Sequence, residues 1–560
     1  MLAARYLPKL IQDGPPQMWM VSAFGPLLCS VLLLLWWLLL SRASGWERLM
    51  GFVGVAIAVG LTLATIHPTM LGPAIMVRTI PMGMAGFAMG AILLGQQLSF
   101  RRTVLAVVLA TLGFGYSTLL RSDGMWGNFA LGLHWRWEPS AEDQMLTDRA
   151  AKPDVAAESL DVTDMETWLA EPESPAFRGV DRSGRYTGPL VFSDWAANEP
   201  EELWRIAVGP GWSSFSVAGN LLFTQEQRGE NEAVVCLLAD SGQEVWSHEI
   251  LSRFDDPLGG PGPRATPAVA AGAIYALGGN GELMRLNAMT GELVWQTDLR
   301  KVAERDPPMW GFCSSPLVVG DTVIVHAGGT ADKGTLAFET STGELKWCAA
   351  AGEHSYSSPQ LCRLHGEEFV AVLSDAGLNL LDPMTGAVAL DYKWKHEGYR
   401  ALQPQVINGD SILLPTGVGT GTRCIRVSKT DSGLQAAEIW TSRDLKSDFN
   451  DFVVFEGHLY GFDGAIFTCL DLATGKRTWK GGRYGKGQVL LLEASGLLLV
   501  ASETGQLVLL KADPTAHQEL ATRQVLDGKT WNHPVVVGDR LFVRNSEQAA
   551  CLRLPLEPPK

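Results

Sequence analysis

The feature that most constrains this chain is a pattern it repeats. It reads CLLADSGQEVW at Cys236–Trp246, RLNAMTGELVW at Arg285–Trp295, AFETSTGELKW at Ala337–Trp347 and CLDLATGKRTW at Cys469–Trp479. Each copy is a strand-like run, a Ser/Thr-Gly turn and a second run closing on Trp. Gly242, Gly291, Gly343 and Gly475 supply the positive φ of a tight hairpin. A strand–turn–strand unit that returns every 40–50 residues or so implies radial or solenoid repetition.

A second motif counts the units. Thr266-Pro267, Ser315-Pro316 and Ser358-Pro359 each precede an apolar run and a Gly, and Gln403-Pro404 and His533-Pro534 repeat the arrangement. The prolines are separated by 49, 43, 45 and then 130 residues, the last gap being three ordinary steps. Degenerate copies at Gly457–Tyr460 and Gly496–Leu498 fill that gap, and Gly219–Phe223 adds one upstream. The total is eight units. Proline is tolerated because it stands at the start of a strand, before the ladder begins.

Eight four-stranded units suit a β-propeller, which closes on itself and hides its sheet edges. The last unit, Trp531–Leu554, has room for three strands, while an orphan strand ahead of the first unit carries its own Trp at Glu202–Ala207. We expect this strand, from Leu203 to Ala207, to complete the final blade. The expected fold is therefore all-β, an eight-bladed β-propeller over 174–560, preceded by an α-helical transmembrane region of about four helices.

That region occupies 1–120. Met18–Leu40 is uncharged and about 35 Å long as a helix, enough to cross the hydrocarbon. Shorter apolar runs follow at 49–66, 79–94 and 104–120. Placing Arg42, Arg48, Arg101 and Arg102 inside satisfies the positive-inside rule and puts the propeller outside. Arg5 and Lys9 then fall on the wrong side, an objection that weakens if the protein begins upstream of Met1. Trp126, Trp135 and Trp137 suit the outer interface.

Residues 121–173 read as an interfacial segment and an acidic linker. Glu138–Glu173 holds eleven acids against Arg149 and Lys152, a net of −9 out of −15 for the whole chain. This composition reads as a solvated tether with short helices starting near Ser140 and Thr163. With a pI near 5.2 and no basic stripe, nothing points to DNA or RNA.

Chemistry-bearing patterns are sparse. The eight cysteines include no Cys-x-x-Cys, so neither a zinc ribbon nor covalent haem is indicated. Cys236, Cys424, Cys469 and Cys551 fall at one repeat position where Ala337 also stands, and read as small buried hydrophobes beside a neighbouring blade's Trp. His326, His354 and His533 lie near strand ends and could face the axial channel, although structural histidines are the plainer reading. Asp255-Asp256 with Arg264, around Gly259–Pro263, forms a long inter-blade loop suited to a partner. No catalytic, cofactor-binding or metal-ligating residue is assigned.

The small-x-Asp-x-x-x-Gly-Lys-x-x-Trp pattern, fullest at Cys469–Trp479, resembles the tryptophan-docking motif of PQQ-type, quinoprotein-like propeller repeats. That family includes quinoprotein dehydrogenases, the non-catalytic assembly lipoprotein BamB and many bacterial propellers without known activity. The resemblance implies a periplasmic or extracellular propeller on the cytoplasmic membrane of a bacterium. The expectation is a scaffold that docks envelope proteins without a cofactor. The alternative is a PQQ-dependent, Ca²⁺-assisted, membrane-bound sugar or alcohol dehydrogenase. It is disfavoured by the missing vicinal cysteine pair and the lack of long inter-blade insertions. A ligand at the axial mouth would sit near Pro267, Pro316, Pro359 and Pro404.

Overall fold

The computed structural model describes residues 18–95, 100–151, 161–417 and 419–558. Arg5, Lys9, Lys152, Asp154, Glu158 and the loop residues Gln96–Ser99 lie outside them. The chain divides into two compact units, 1–140 with 255–260, and 141–254 with 261–560.

The first unit is helical. Helix α1 (Met18–Leu35) runs on through a π-turn, Trp36–Leu40. Helix α2 spans Gly45–Thr65, α3 spans Ile80–Leu93 after a π-turn at Ile75–Thr79, and α4 spans Phe100–Tyr116. Gly45–Thr65, Ile75–Leu93 and Phe100–Leu119 are long and apolar enough to cross a membrane, and Phe24–Leu40 is a shorter apolar helix. Helix α2 starts before its apolar run because Ser44 and Glu47 close a capping box around its first turn.

Helices α3 and α4 pack closely. A Cβ on Gly86 would stand 2.2 Å from the Leu109 carbonyl oxygen, so glycine permits the approach. Trp37 is fully buried, donates to the Arg48 carbonyl at 3.2 Å and lies 5.5 Å from the Arg102 guanidinium. This brings Arg48 in the first turns of α2 and Arg102 in the first turn of α4 to one end of the bundle. A short hairpin, β1 (Leu120–Met125) with β2 (Leu131–Trp135), follows α4, and Trp135 stacks on Trp137.

The second unit is an eight-bladed propeller. Seven of its sheets have four strands, and the eighth adds a fifth, short strand. Blades 1 to 8 begin at Ser216, Ala268, Leu317, Gln360, Gln405, Val453, Gln488 and Val535. The strand Glu201–Ala207 pairs antiparallel with Gln548–Arg553, so the outermost strand of blade 8 comes from ahead of blade 1. Both degenerate copies inferred from spacing are real blades, the sixth and seventh.

One local device recurs in all eight blades: a register shift between the third and fourth strands, immediately after the position occupied by Cys236, Arg285, Ala337, Leu380, Cys424, Cys469, Leu509 or Cys551. In six blades the residue facing that position is the docking Trp. Its indole N–H reaches a carbonyl of the next blade, as in Trp295 to Thr340 at 2.8 Å and Trp479 to Asp513 at 2.8 Å. The bulge twists the fourth strand and re-aims its Trp across the gap. One correction concerns the cysteines: they face the Trp of their own blade, Cys469 opposite Trp479 and Cys551 opposite Trp204, and not a neighbour's. All eight cysteines are free, and five are buried.

Blades 4 and 7 carry Leu390 and Ala521 where the others have Trp. Between blades 4 and 5 the joint is remade with arginine. Arg400 and Arg423 lie over the Trp394 ring at 4.8 and 4.5 Å, and Arg423 donates to the Tyr392 hydroxyl at 3.1 Å.

The acidic segment is not all tether. Helices α5 (Ala141–Ala151) and α6 (Val162–Ala170) lie in it, the second capped by Asp161 in place of the expected Thr163. Met165 and Leu169 are buried in a core shared with blades 1 and 2. Glu142 pairs with Arg253 at 3.0 Å, and Arg149 with Glu244. One acid of a segment that read as solvated charge, Glu142, therefore finds a cation on the disc, and the segment's Arg149 finds an acid there.

Candidate functional site in the axial channel

A polar residue stands two positions ahead of the innermost strand in seven blades, Ser214, Thr266, Ser315, Ser358, Gln403, Asp451 and His533, and its equivalent in blade 7 is Gln488, the first residue of that strand. The structure gives the reason. Ser214 N–H donates to Thr266 Oγ1 at 2.9 Å, Thr266 N–H to Ser315 Oγ at 3.0 Å, and Ser315 N–H to Ser358 Oγ at 2.8 Å. Gln403 N–H donates to Asp451 Oδ1 at 2.9 Å, and Ser214 Oγ to the His533 carbonyl at 2.6 Å. At four joints a side chain thus satisfies a backbone N–H of the neighbouring blade, and at the joint of blades 8 and 1 a backbone carbonyl, in a dry interior where an unpaired polar group would be costly. The Ser/Thr-Pro motif is a ring of inter-blade hydrogen bonds, with proline following where no donor is required.

A strap from the segment ahead of blade 1 fills the channel inside this ring. It enters at the face carrying the turns after the first strands, where Glu173 accepts from Gly219 N–H at 2.8 Å. Ser174 bridges Val217 of blade 1, and the Pro175 carbonyl accepts from Val269 of blade 2 at 2.7 Å. At its apex Arg182 donates to the carbonyls of Ser315 at 3.1 Å, Pro359 at 2.9 Å and Pro316. Arg178 donates to the Phe452 carbonyl at 2.8 Å and meets Asp451 at 3.2 Å. The strap leaves along blade 7, where Arg185–Tyr186 pairs parallel with Leu491–Leu492.

Both arginines are almost wholly buried. Burial pulls the Arg182 guanidinium down to about 10, which leaves it charged at neutral pH. Burial also pushes the Asp451 carboxyl up, opposed by Arg178 beside it. These residues were not singled out from sequence. The available signal was an Arg-rich, Gly-punctuated stretch, Arg178–Arg185, just where the acidic composition ends.

The three histidines near strand ends sit in different surroundings. His326 is buried with both ring nitrogens unpartnered, and burial pulls its imidazole down to about 3. His533 is likewise buried, its Nε2 3.2 Å from the Val489 carbonyl. His354 packs edge-on against Tyr356 at 4.9 Å. The Asp255–Gly260 loop belongs to the helical unit, where Met125 N–H donates to the Leu258 carbonyl at 2.7 Å and Asp256 holds the N–H groups of Leu258 and Gly259. Arg264 lies 4.7 Å over the Phe254 ring.

The opposite face of the disc, from which the innermost strands start, carries two aromatic clusters. Trp310 meets Tyr399 at 4.5 Å and Tyr356 at 5.0 Å; Trp531 meets Trp212 at 4.7 Å and Phe449 at 4.9 Å, with Lys529 over its ring at 4.5 Å. Among the described residues no group of three or more His, Cys, Asp or Glu could hold a metal ion.

Comparison with known proteins agrees with the blade motif. The family model of the outer membrane protein assembly factor BamB matches residues 230–481. The BamB of Burkholderia pseudomallei is 28% identical over 150 residues, 26% of this chain and 33% of that protein. The BamB of Yersinia pestis is 22% identical over 354 residues, 61% of this chain and 76% of that one. Among solved structures, BamB from Moraxella catarrhalis superposes with a TM-score of 0.47 at 14% identity, covering 63% of this chain and all of its own. A quinohemoprotein alcohol dehydrogenase from Pseudomonas putida gives 0.46 at 13%, covering 72% and 84%.

The fold is an eight-bladed β-propeller whose blades resemble PQQ-type repeats, and over residues 230–481 the chain is similar to BamB, with apolar helices preceding the disc.

Proposed function

We propose that this protein is a membrane-anchored propeller of the bacterial envelope that docks other envelope proteins and performs no chemistry of its own. The observation that carries this reading is the strap. The mouth near Pro316 and Pro359, where a ligand could reach several blades at once, is bonded to the protein's own Arg182. A quinone held through Ca²⁺ does not fit there, because a buried guanidinium already takes the carbonyls and the nearby carboxylate of Asp451 is committed to Arg178. What remains for partners is the aromatic face, and Trp and Tyr on a rigid disc are the residues that dominate protein interfaces. The similarity to two proteins described as outer membrane assembly factors supports the same reading.

The membrane placement rests on the four apolar helices and on Arg48 and Arg102, which meet at Trp37 at one end of the bundle. A reporter active only outside the cytoplasm should work when fused after Glu138 and fail at Gly45. For docking, a photo-crosslinker at Trp310 or Trp531 in the full chain should trap one or a few envelope proteins in membranes. The same label at exposed Leu520, on the rim of blade 7, should trap none of them. Equal labelling from both places, or stoichiometric binding of PQQ with Ca²⁺ and substrate-dependent dye reduction, would overturn the scaffold reading.

A further inference from the structure

Between Met18 and Leu119 the chain has a single acid, Glu47, against Arg42, Arg48, Arg78, Arg101 and Arg102. All but Arg78 stand at the end of the bundle where α2 and α4 begin. The fold uses two of these four. Arg48 donates to the carbonyls of Ala43 and Leu38, each at 3.1 Å, and of Ser41, while Arg102 lies over the Trp37 ring. Glu47 is committed to the capping box of α2, its Oε2 accepting from Ser44 N–H at 2.9 Å. Arg42 and Arg101 are exposed, and neither has a hydrogen-bond or ion-pair partner among the described residues.

A groove of about 540 Å³ runs along the outside of the bundle between α2 and α4. Its walls include Leu49, Val53 and Ile57 on one side and Val104 and Val108 on the other, all exposed, with exposed Trp46 at the arginine end. Arg101 precedes Val104 by three residues and Val108 by seven, so helical spacing puts it on their face of α4, at the mouth of the groove.

The length of the groove selects its occupant. From Trp46 to Ile57 it covers about 16 Å of helix, half of a hydrocarbon core ~30 Å thick. A partner helix crossing the membrane would pack along the whole core, whereas a lipid chain anchored in one leaflet reaches half of it. Trp46 suits the headgroup level, and unpaired guanidiniums beside it select a headgroup with net negative charge.

We propose that this groove holds an acyl chain of an anionic phospholipid whose phosphate is bound by Arg101, with Arg42, in the turn ahead of α2, adding its charge. The site rests on the membrane placement given above and is independent of the docking face.

Native mass spectrometry of the full chain in detergent tests it, with phosphatidylglycerol, phosphatidylcholine of the same chains and glycerol phosphate as probes. Phosphatidylglycerol should bind tighter than phosphatidylcholine by about fivefold for each arginine engaged. Glycerol phosphate, which has no chain, should bind far more weakly than either lipid. Arg101→Gln should reduce the preference by about fivefold and leave phosphatidylcholine unchanged. Ile57→Trp, which fills the groove, should weaken both lipids. Both positions are exposed, so both variants should fold, as a circular dichroism melt would verify. Equal affinity for the two lipids overturns the proposal. So does a phosphatidylglycerol affinity unchanged in either folded variant, or glycerol phosphate binding as tightly as the lipid. Failure of the membrane placement itself shows separately, as a chain that washes from membranes without detergent.

Discussion

The indole of Trp295 belongs to one blade and hydrogen-bonds to the next, while its ring lies against the turn of Gly343. A Cβ on that glycine would sit 2.6 Å from the ring, and its φ of +73° already excludes most residues. Trp295→Ala should therefore cost about 3–5 kcal/mol through lost burial and the cavity left behind. Cys469→Ala should cost far less, since Ala337 fills the same position in blade 3, and chemical denaturation of both variants would measure the contrast. Glu232 is a different kind of residue. It is buried beside Glu282, accepts from Gly279 N–H at 3.1 Å, and burial pushes its carboxyl up to about 8. Between pH 4.5 and 8 the folded state holds a proton that the unfolded state has released, so stability falls as pH rises through that window. Glu232→Gln should flatten this slope and raise stability at pH 8–9 by on the order of a few kcal/mol. An unchanged pH profile of the melting temperature would refute the assignment.

At the scale of elements, the strap is a seal whose strength concentrates in Arg182. Arg182→Leu leaves the carbonyls of Ser315, Pro316 and Pro359 without their donor inside a dry channel. It should cost about 2–4 kcal/mol and expose 174–186 to limited proteolysis. Much of the architecture around the strap was legible. Trp spacing, turn glycines and Ser/Thr-Pro pairs repeat with the blades, so each copy reinforced the others, and the orphan strand at Glu202–Ala207 announced its own pairing. The strap was illegible for the opposite reason. It touches blades 1, 2, 3, 4, 6, 7 and 8, almost always through single residues in irregular backbone, and a lone arginine such as Arg182 looks the same in sequence whether solvated or sealed in a channel. The helices of the acidic segment were hidden by composition: Met165 and Leu169 are too few to outweigh the charge around them, although their burial is what holds α6.

On the scale of the whole molecule, the disc has no free sheet edge within its ring because Glu201–Ala207 closes blade 8. Removing Thr530–Lys560 should open two edges, so the truncated protein should aggregate or be degraded, whereas a monomeric, cooperatively melting truncation would sink the closure. That same joint also sets a clock. The strand at 201–207 waits for a partner that ends at Arg553, roughly 350 residues later. At synthesis rates of about 5–20 residues per second, the wait is on the order of 20–70 s. Blades 1 to 7 can assemble in order as they emerge, each from local hairpins, but the contact that locks them is among the most distant the chain makes, and such contacts form slowly. Through that interval the growing arc shows an unpaired blade to whatever surrounds it, so a holding chaperone at the site of synthesis or export has its natural task here, and its work ends when the ring shuts.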